Sequence, residues 1–256
     1  PDICFERHVY HRDQFAHYFR WTHVLKRAKI GMNILDFGCG TSMNLAEVFY
    51  RNMYKPNKYL GLDIRDLNIK GKKLIELDWC EFKKQNLISE INEKGFNWDL
   101  ITSNEVIEHI GKQNADKFLQ NILNNCSEKT KVLISTPNYD ENVGAAGNHT
   151  YDSGDGRGIV PQEFTYNELK LLFEKYFIIE EVYGTFASQK DYKHLMNDWQ
   201  RQMFDNLYKY YDSNLLSNLM APMFPEQSRN CIWILRKKLN EEGKLITPNI
   251  FMDFTQ

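Results

Sequence analysis

The stretch Ile34-Leu35-Asp36-Phe37-Gly38-Cys39-Gly40-Thr41-Ser42 constrains the fold of this chain more than any other. A short apolar run ends in an acid, two glycines follow at alternate positions, and an apolar-periodic segment begins at Met43. The order predicts a strand, a tight turn and a helix start. Gly38 and Gly40 allow positive φ and let a ligand approach the main chain closely. The helix start beyond them offers N–H groups that have no partner inside the helix. The dinucleotide fingerprint G-x-G-x-x-G needs a third glycine where this chain has Met43, and the phosphate loop G-x-x-x-x-G-K-S/T is absent. The turn therefore suits a ligand without a pyrophosphate.

Periodicity places seven strands, at residues 33–37, 58–63, 72–77, 96–103, 131–135, 177–183 and 231–235. Helices are predicted over 43–53 and 113–125, and a third is opened by the capping box Thr165-Tyr166-Asn167-Glu168. Strand–helix alternation implies a mostly parallel sheet with helices on both faces, an α/β architecture. Ligands in such sheets bind beyond the carboxyl ends of the strands, at the switch point. Asp36 to Gly40, Asp63, Asp78 and Asn104 to His109 all fall at expected strand ends. Asp63 follows Gly40 by 23 residues and closes the second strand. An acid so placed can accept bonds from ribose hydroxyls, or can simply cap a turn.

Around this core (31–183 and 230–238) three further segments are expected. Residues 1–30 form an N-terminal helical lid or a helix packed on the core edge, with Phe15, Tyr18, Phe19, Thr22 and Leu25 at helical spacing and Asp13 as its cap. Residues 184–229 form a helical insertion between the last two strands, on the acceptor side. Its stripe Tyr192, Leu195, Met196, Trp199, Met203, Leu207 and Tyr210 reads as core. Residues 239–256 read as a weakly ordered tail. The Gly- and Asn-rich stretch 138–163 is longer than ordinary connections and reads as a loop over the site. Its Asp152 and Asp155 sit in a segment that lacks the glutamate of a calcium loop at position twelve.

The acid-Gly-x-Gly pattern in this place resembles the first motif of the class I S-adenosylmethionine (SAM)-dependent methyltransferases, which have a Rossmann-like fold. Trp98-Asp99-Leu100-Ile101-Thr102-Ser103 is similar to that family's fourth-strand entry. The resemblance implies that Asp36, Gly38, Cys39 and Gly40 hold the amino-acid end of SAM. It implies that Asp63 holds the ribose with Ile64 beside it, that Asp78 and Trp79 meet the adenine, and that Asn104 and Glu105 complete the cofactor site. S-adenosylhomocysteine would be the product. For Trp79, core filler is the other reading.

Glu105-Val106-Ile107-Glu108-His109 looks like two branches of that family. In ubiquinone-pathway O-methyltransferases a similar segment lines the site. In small-RNA 2′-O-methyltransferases it supplies metal ligands, and a later histidine completes the set. Carried over, the ligands for a divalent metal would be Glu105, Glu108, His109 and His149, with the first three on one helical face. This chain follows Thr136-Pro137-Asn138 with a single loop histidine and a Gly/Asp-rich stretch, so the match is partial and a metal is not favoured. Without a metal, His109 or His149 serves as general base beside Glu108, since histidine ionises near neutral pH. Structural roles for both histidines are the third reading.

The acceptor is expected to be an O or N nucleophile of a small-molecule or nucleotide-like compound. Net charge is −2, so no whole-chain footprint for nucleic acid exists. Ser103-Asn104-Glu105-Val106 stands where amino-directed DNA enzymes carry D/N/S-P-P-Y/F, and no Pro-Cys occurs. A nucleic-acid methyltransferase remains an alternative through a basic edge of Arg7, Arg12, Arg20, Lys26, Arg27 and Lys29. A non-catalytic SAM-binding module is another. Five cysteines without C-x-x-C argue against a disulfide framework and for a reducing, cytoplasmic setting, and no apolar run approaches the roughly 20 residues of a membrane span.

Overall fold

In a computed structural model, which describes residues 12–93, 95–140, 150–152, 159–161, 163–187 and 189–239, the chain enters through helix α1 (Arg12–Arg27). Asp13 lies inside this helix. Strand β1 (Asn33–Phe37) leads to α2 (Asn44–Arg51), β2 (Lys58–Asp63), α3 (Ile69–Leu74), β3 (Cys80–Lys84) and β4 (Leu100–Asn104). The short α4 (Ile107–Ile110), α5 (Ala115–Asn124) and β5 (Lys131–Pro137) follow. Next come an antiparallel pair, β6 (Thr150–Asp152) with β7 (Ile159–Pro161), and α6 (Tyr166–Tyr176), which runs directly into β8 (Phe177–Phe186). Three helices, α7 (Gln189–Tyr192), α8 (Asp198–Leu207) and α9 (Ser213–Met220), precede the last strand, β9 (Asn230–Lys237). The predicted His149, calcium-like stretch 153–158, most of the long loop and nearly all of the tail lie outside the described residues.

Seven strands form one sheet in the order β3-β2-β1-β4-β5-β9-β8. β3, β2, β1, β4 and β5 run parallel, while β9 is antiparallel to both β5 and β8. The chain builds outward from β1 in one direction and then crosses to β4, which puts the switch point between β1 and β4. This is the expected α/β, Rossmann-like, mostly parallel sheet with helices around it.

The central strands are buried on both faces, which is why they read as short apolar runs. One face packs Leu35, Phe37, Ile101, Phe118, Phe173 and Trp233; the other packs Ile34, Phe49, Tyr59, Leu100, Leu133 and Ile234. The segment between β8 and β9 has a core of its own, in which Tyr192 stacks on Phe224 with ring centroids 5.1 Å apart. Not all of the predicted stripe is core: Trp199 and Tyr210 are 65% and 80% exposed. The helical phase is reset between α7 and α8 by the 3-10 turn Lys193–Leu195 and by a capping box in which Asn197 and Gln200 bond reciprocally.

The third strand departs from expectation. Residues 72–77 are not a strand; α3 occupies the first half of that place, and β3 begins only at Cys80. Asn68 Oδ1 accepts the Gly71 N–H at 3.0 Å and starts the helix. A Cβ on Gly71 would stand 2.5 Å from the Thr41 carbonyl oxygen, so the helix packs against the β1–α2 turn itself. β3 is an edge strand with Lys83 and Lys84 at its end, and it lacks an apolar run. At the opposite edge, β8 shows register shifts at Ile179/Glu181 and Gly184/Phe186.

Candidate functional site

The β1–α2 turn is shaped by its two glycines. Gly38 has φ +85° and Gly40 φ +71°. The N–H groups of Gly38 and Cys39 both donate to the Leu62 carbonyl, at 2.8 and 3.0 Å, which ties the turn to β2. A Cβ on Gly38 would lie 2.4 Å from Val106 Cγ2, so the backbone there touches the segment after β4. Gly40 faces open space, with nothing within 4 Å of a Cβ built on it. Its N–H donates to Asp63 Oδ2 at 3.0 Å.

The two acids differ in environment. Asp36 is buried beneath the turn, where Oδ2 accepts the Tyr59 hydroxyl at 2.6 Å and Oδ1 accepts Thr102 Oγ1 at 2.8 Å. Burial pushes its carboxyl up to about 6, against the pull of those two hydrogen bonds. Asp63 closes β2 at the cavity. Burial alone would raise it, but the Arg65 side chain, the Arg65 N–H (2.9 Å) and the Gly40 N–H outweigh burial and hold it below the usual carboxylate range. Arg65 Nε and Nη2 stand 3.1 and 3.4 Å from the two oxygens of Asp63.

A cavity of about 520 Å³ opens at the switch point, a volume ordinary for a small-ligand site. Gly38, Asp63, Ile64, Glu105 and His109, all anticipated from sequence, line it. Gly40 adjoins it through Asp63. Five anticipated residues are placed elsewhere. Asp36 supports the turn from below, and Cys39 packs on Gly61, its thiol pushed up by burial and by Asp36. Asn104 accepts from Ser135 Oγ at 3.3 Å. Asp78 and Trp79 precede β3 instead of following it: Asp78 is exposed and paired with Lys55 at 2.8 Å, and Trp79 is core. The wall expected from them comes from Asn86, Leu87 and Ile88, which follow the true β3. Arg65, Val106 and Ile110 complete the lining. Each of these missed residues lies two to six positions past a strand end, so a correct β3 boundary would have exposed the first three.

The Glu105–His109 segment is not one helical face. Glu105 has φ +56°, an uncommon conformation for a residue with a side chain, and α4 starts only at Ile107. Glu105 Oε1 accepts Ser135 Oγ at 2.9 Å and pairs with Arg20 Nη2 at 3.2 Å, while Oε2 accepts Asn230 Nδ2 at 2.7 Å. Glu108 is fully buried, and Thr136 Oγ1 donates to its Oε2 at 3.0 Å. Burial, then the charge of Glu105, pushes its carboxyl well up. His109 is exposed on the cavity wall. Among the described residues no three His, Cys, Asp or Glu side chains are grouped so as to hold a metal ion. Glu105, Glu108 and His109 of the alternative metal set are not grouped so, and its fourth member, His149, lies outside the described residues.

Of the alternative basic edge around the first helix, two residues are engaged, while Lys26 and Lys29 are exposed. Arg20 is buried against Glu105, and Arg27 pairs with Glu181 at 2.7 Å and lies over the Tyr183 ring at 5.6 Å. Arg7 and the side chain of Arg12 lie outside the described residues.

Comparison with known proteins gives this geometry a family. A family profile described as a methyltransferase domain matches residues 10–221. No curated protein matches the chain by sequence. Among solved structures, a TehB-like SAM-dependent methyltransferase from Corynebacterium glutamicum is 15% identical, with 86% of this chain and 87% of that one covered and a TM-score of 0.52. The 1,6-didemethyltoxoflavin-N1-methyltransferase of Burkholderia thailandensis, bound to its substrate and S-adenosylhomocysteine, is 14% identical over 87% and 76%, with a TM-score of 0.52. The small RNA methyltransferase HEN1 is 16% identical; 91% of this chain matches 26% of that one, with a TM-score of 0.58. At such identities the likeness is one of fold, and the profile carries the family. With a family match over most of its length and a methyltransferase sheet order, the chain belongs to the methyltransferase-domain family, as a class I SAM-dependent methyltransferase.

Proposed function

We propose that the enzyme transfers the SAM methyl group to an O or N nucleophile of a small-molecule or nucleotide-like acceptor, with His109 as the general base. The observation that carries this reading is the single cavity whose wall runs from Gly38 and Asp63 through Ile64 to His109. SAM fits these residues: the open side of Gly40 takes main-chain approach, Asp63 offers carboxylate oxygens to the ribose, and Ile64 with Leu87 and Ile88 gives the adenine an apolar setting. Bound there, SAM supplies an activated methyl group. The chain's own work is to orient donor and acceptor and to take a proton. His109 takes the proton of the acceptor on its imidazole. Glu108, its neighbour in α4, is buried, and burial favours its neutral form. We assign α1 and the helices between β8 and β9 to the acceptor side of the cavity, as a lid and an insertion. Free, buried Cys39, Cys80, Cys126 and Cys231 support a reducing, cytoplasmic setting.

The test has two parts. Asp63→Ala is expected to weaken SAM binding by about tenfold or more in calorimetry, the loss of hydrogen bonds to a charged group; unchanged affinity removes the ribose assignment. His109→Ala is expected to lower turnover by about 100-fold with SAM affinity little changed. Equal loss of both would make His109 structural. Turnover is read with tritium-labelled SAM and a cell extract separated into small molecules, protein and nucleic acid. Label confined to nuclease-sensitive material would overturn the small-molecule reading.

A further inference from the structure

A second cavity, of about 590 Å³, lies in the segment between β8 and β9. Its wall is Gln189 and Lys190 from α7, Lys193 and His194 from the following 3-10 turn, and Arg201 from α8. Every ionisable group in that wall is a base. Asp191 and Asp198 sit on the same stretch of chain, yet neither lines the cavity. The contacts of the cations are with uncharged groups: Arg201 Nη2 donates to the Met196 carbonyl at 3.4 Å, and Lys193 Nζ stands 4.9 Å from the Phe204 ring centroid.

The placement is held from beneath. Tyr192, Met196 and Phe204 are buried in the local core, and they alternate with the exposed bases along the chain. The Asn197–Gln200 capping box fixes the start of α8 one turn before Arg201. Holding like charges around one concavity is unfavourable until an anion enters it. Lysine offers a point charge and arginine a planar fork, the pair of donors suited to phosphoryl oxygens. In a chain of net charge −2, this concentration of positive charge is local.

The sheet gives the cavity its place relative to the cofactor site. β9 is antiparallel to β5 and to β8, so β8 ends at the same edge of the sheet as β5, the edge that carries the SAM cavity. α7 starts three residues after that end. From the switch point, the basic cavity lies toward β5, β9 and β8, away from Asp63 and Asn86 on the β2–β3 side.

We propose that Lys190, Lys193, His194 and Arg201 form a phosphoryl-binding subsite on the acceptor side of the enzyme. The binding itself stands on the cavity alone; its role in acceptor recognition rests on the methyl-transfer reading above. The group recognised is a phosphate, carried either as a phosphomonoester on a small acceptor or as the backbone of a nucleic acid.

The full chain is titrated by calorimetry with inorganic phosphate, with glycerol 3-phosphate and with a short single-stranded RNA, before and after Lys193→Gln/Arg201→Gln. The double variant is expected to bind phosphate and the monoester about tenfold more weakly, the loss of two exposed charge contacts. Its SAM affinity is expected to be unchanged, which also reports that it folds. RNA that binds more tightly than the monoester, with a steep salt dependence lost in the double variant, would assign the phosphate to nucleic acid. Tighter monoester binding would assign it to a small molecule. Phosphate affinity that is absent, or equal in both proteins, overturns the subsite. Label transferred only to acceptors without phosphate, while phosphate still binds, overturns its role in recognition and leaves the methyltransferase reading standing.

Discussion

Asp63 has about four lone-pair positions on its two oxygens, and Arg65 occupies several of them. The Arg65 N–H and the Gly40 N–H take one each, and the Arg65 side chain reaches both oxygens at 3.1 and 3.4 Å. A ribose diol needs two acceptors on the same carboxylate. Under the ribose assignment proposed above, the guanidinium leaves when SAM enters, while the two backbone donors stay. The Arg65 side chain is 65% exposed, and a solvent-exposed pair of this kind contributes about 0–1 kcal/mol. Arg65→Ala is accordingly expected to tighten SAM binding by about two- to fivefold in calorimetry. Weaker binding in the variant would show that the guanidinium contacts the cofactor directly. None of this competition was legible in the sequence, which marks Asp63 by its spacing from Gly40 but gives no hint that its neighbour two residues on folds back over it.

Among the described side chains, helix α1 is tied to the cavity wall by Arg20. Arg20 is 4% exposed and pairs with Glu105, the residue that turns the chain from β4 into α4 in a left-handed conformation. Glu105 is also held by Ser135 on β5 and Asn230 on β9, so four elements meet at this carboxylate. Arg20→Met keeps the stem and removes the charge. It is expected to lower stability by about 1–3 kcal/mol, the cost of leaving one partner of a mostly buried pair. Turnover is expected to fall more than SAM affinity, because Glu105 and His109 share the cavity wall. Denaturant melts with calorimetry and labelled turnover read the three quantities, and a variant with normal stability and turnover would show that α1 is not coupled to the site. At this scale the sequence is legible where burial is symmetrical. β1, β2, β4 and β5 are covered on both faces, so their apolar runs find them to within a few residues. β3 lies at an edge, its Glu81, Lys83 and Lys84 are exposed, and the alternation in residues 72–77 imitates a strand better than the real one does. Asp78 and Trp79 were misplaced with it, and Asn86, Leu87 and Ile88 were missed for the same reason. By sequence Arg20 belongs to a basic edge, because a half-buried partner 85 residues away leaves no local mark.

Among the groups that tie the stability of the whole molecule to pH, Asp36 and His23 act in opposite directions. Asp36 ionises near 6 in the folded chain against an ordinary value of 3.8, so its contribution is full below about pH 4 and is lost as pH rises through 6. The loss is of the order of 3 kcal/mol. His23, within α1, is pushed down to about 4 by burial and by Arg27 and Lys26, so its contribution is present above 6.5 and is lost as pH falls toward 4. Acid thus relieves Asp36 and charges His23 over the same span of pH. Asp36→Asn isolates the histidine: its unfolding free energy, measured in urea from pH 4 to 7, is expected to rise with pH where the native chain is flatter. Parallel curves for the two proteins would show that Asp36 ionises normally. The two rims of the sheet bear on association. A strand adding to β3 would have to lie beside Lys83 and Lys84, and one adding to β8 would meet a ladder broken at Ile179/Glu181 and again at Gly184/Phe186. Charge at one rim and lost register at the other are the means by which open sheets avoid continuing into a neighbour. Edge-to-edge pairing between copies of this chain is therefore disfavoured, and at high concentration its sheet is a poor seed for fibres.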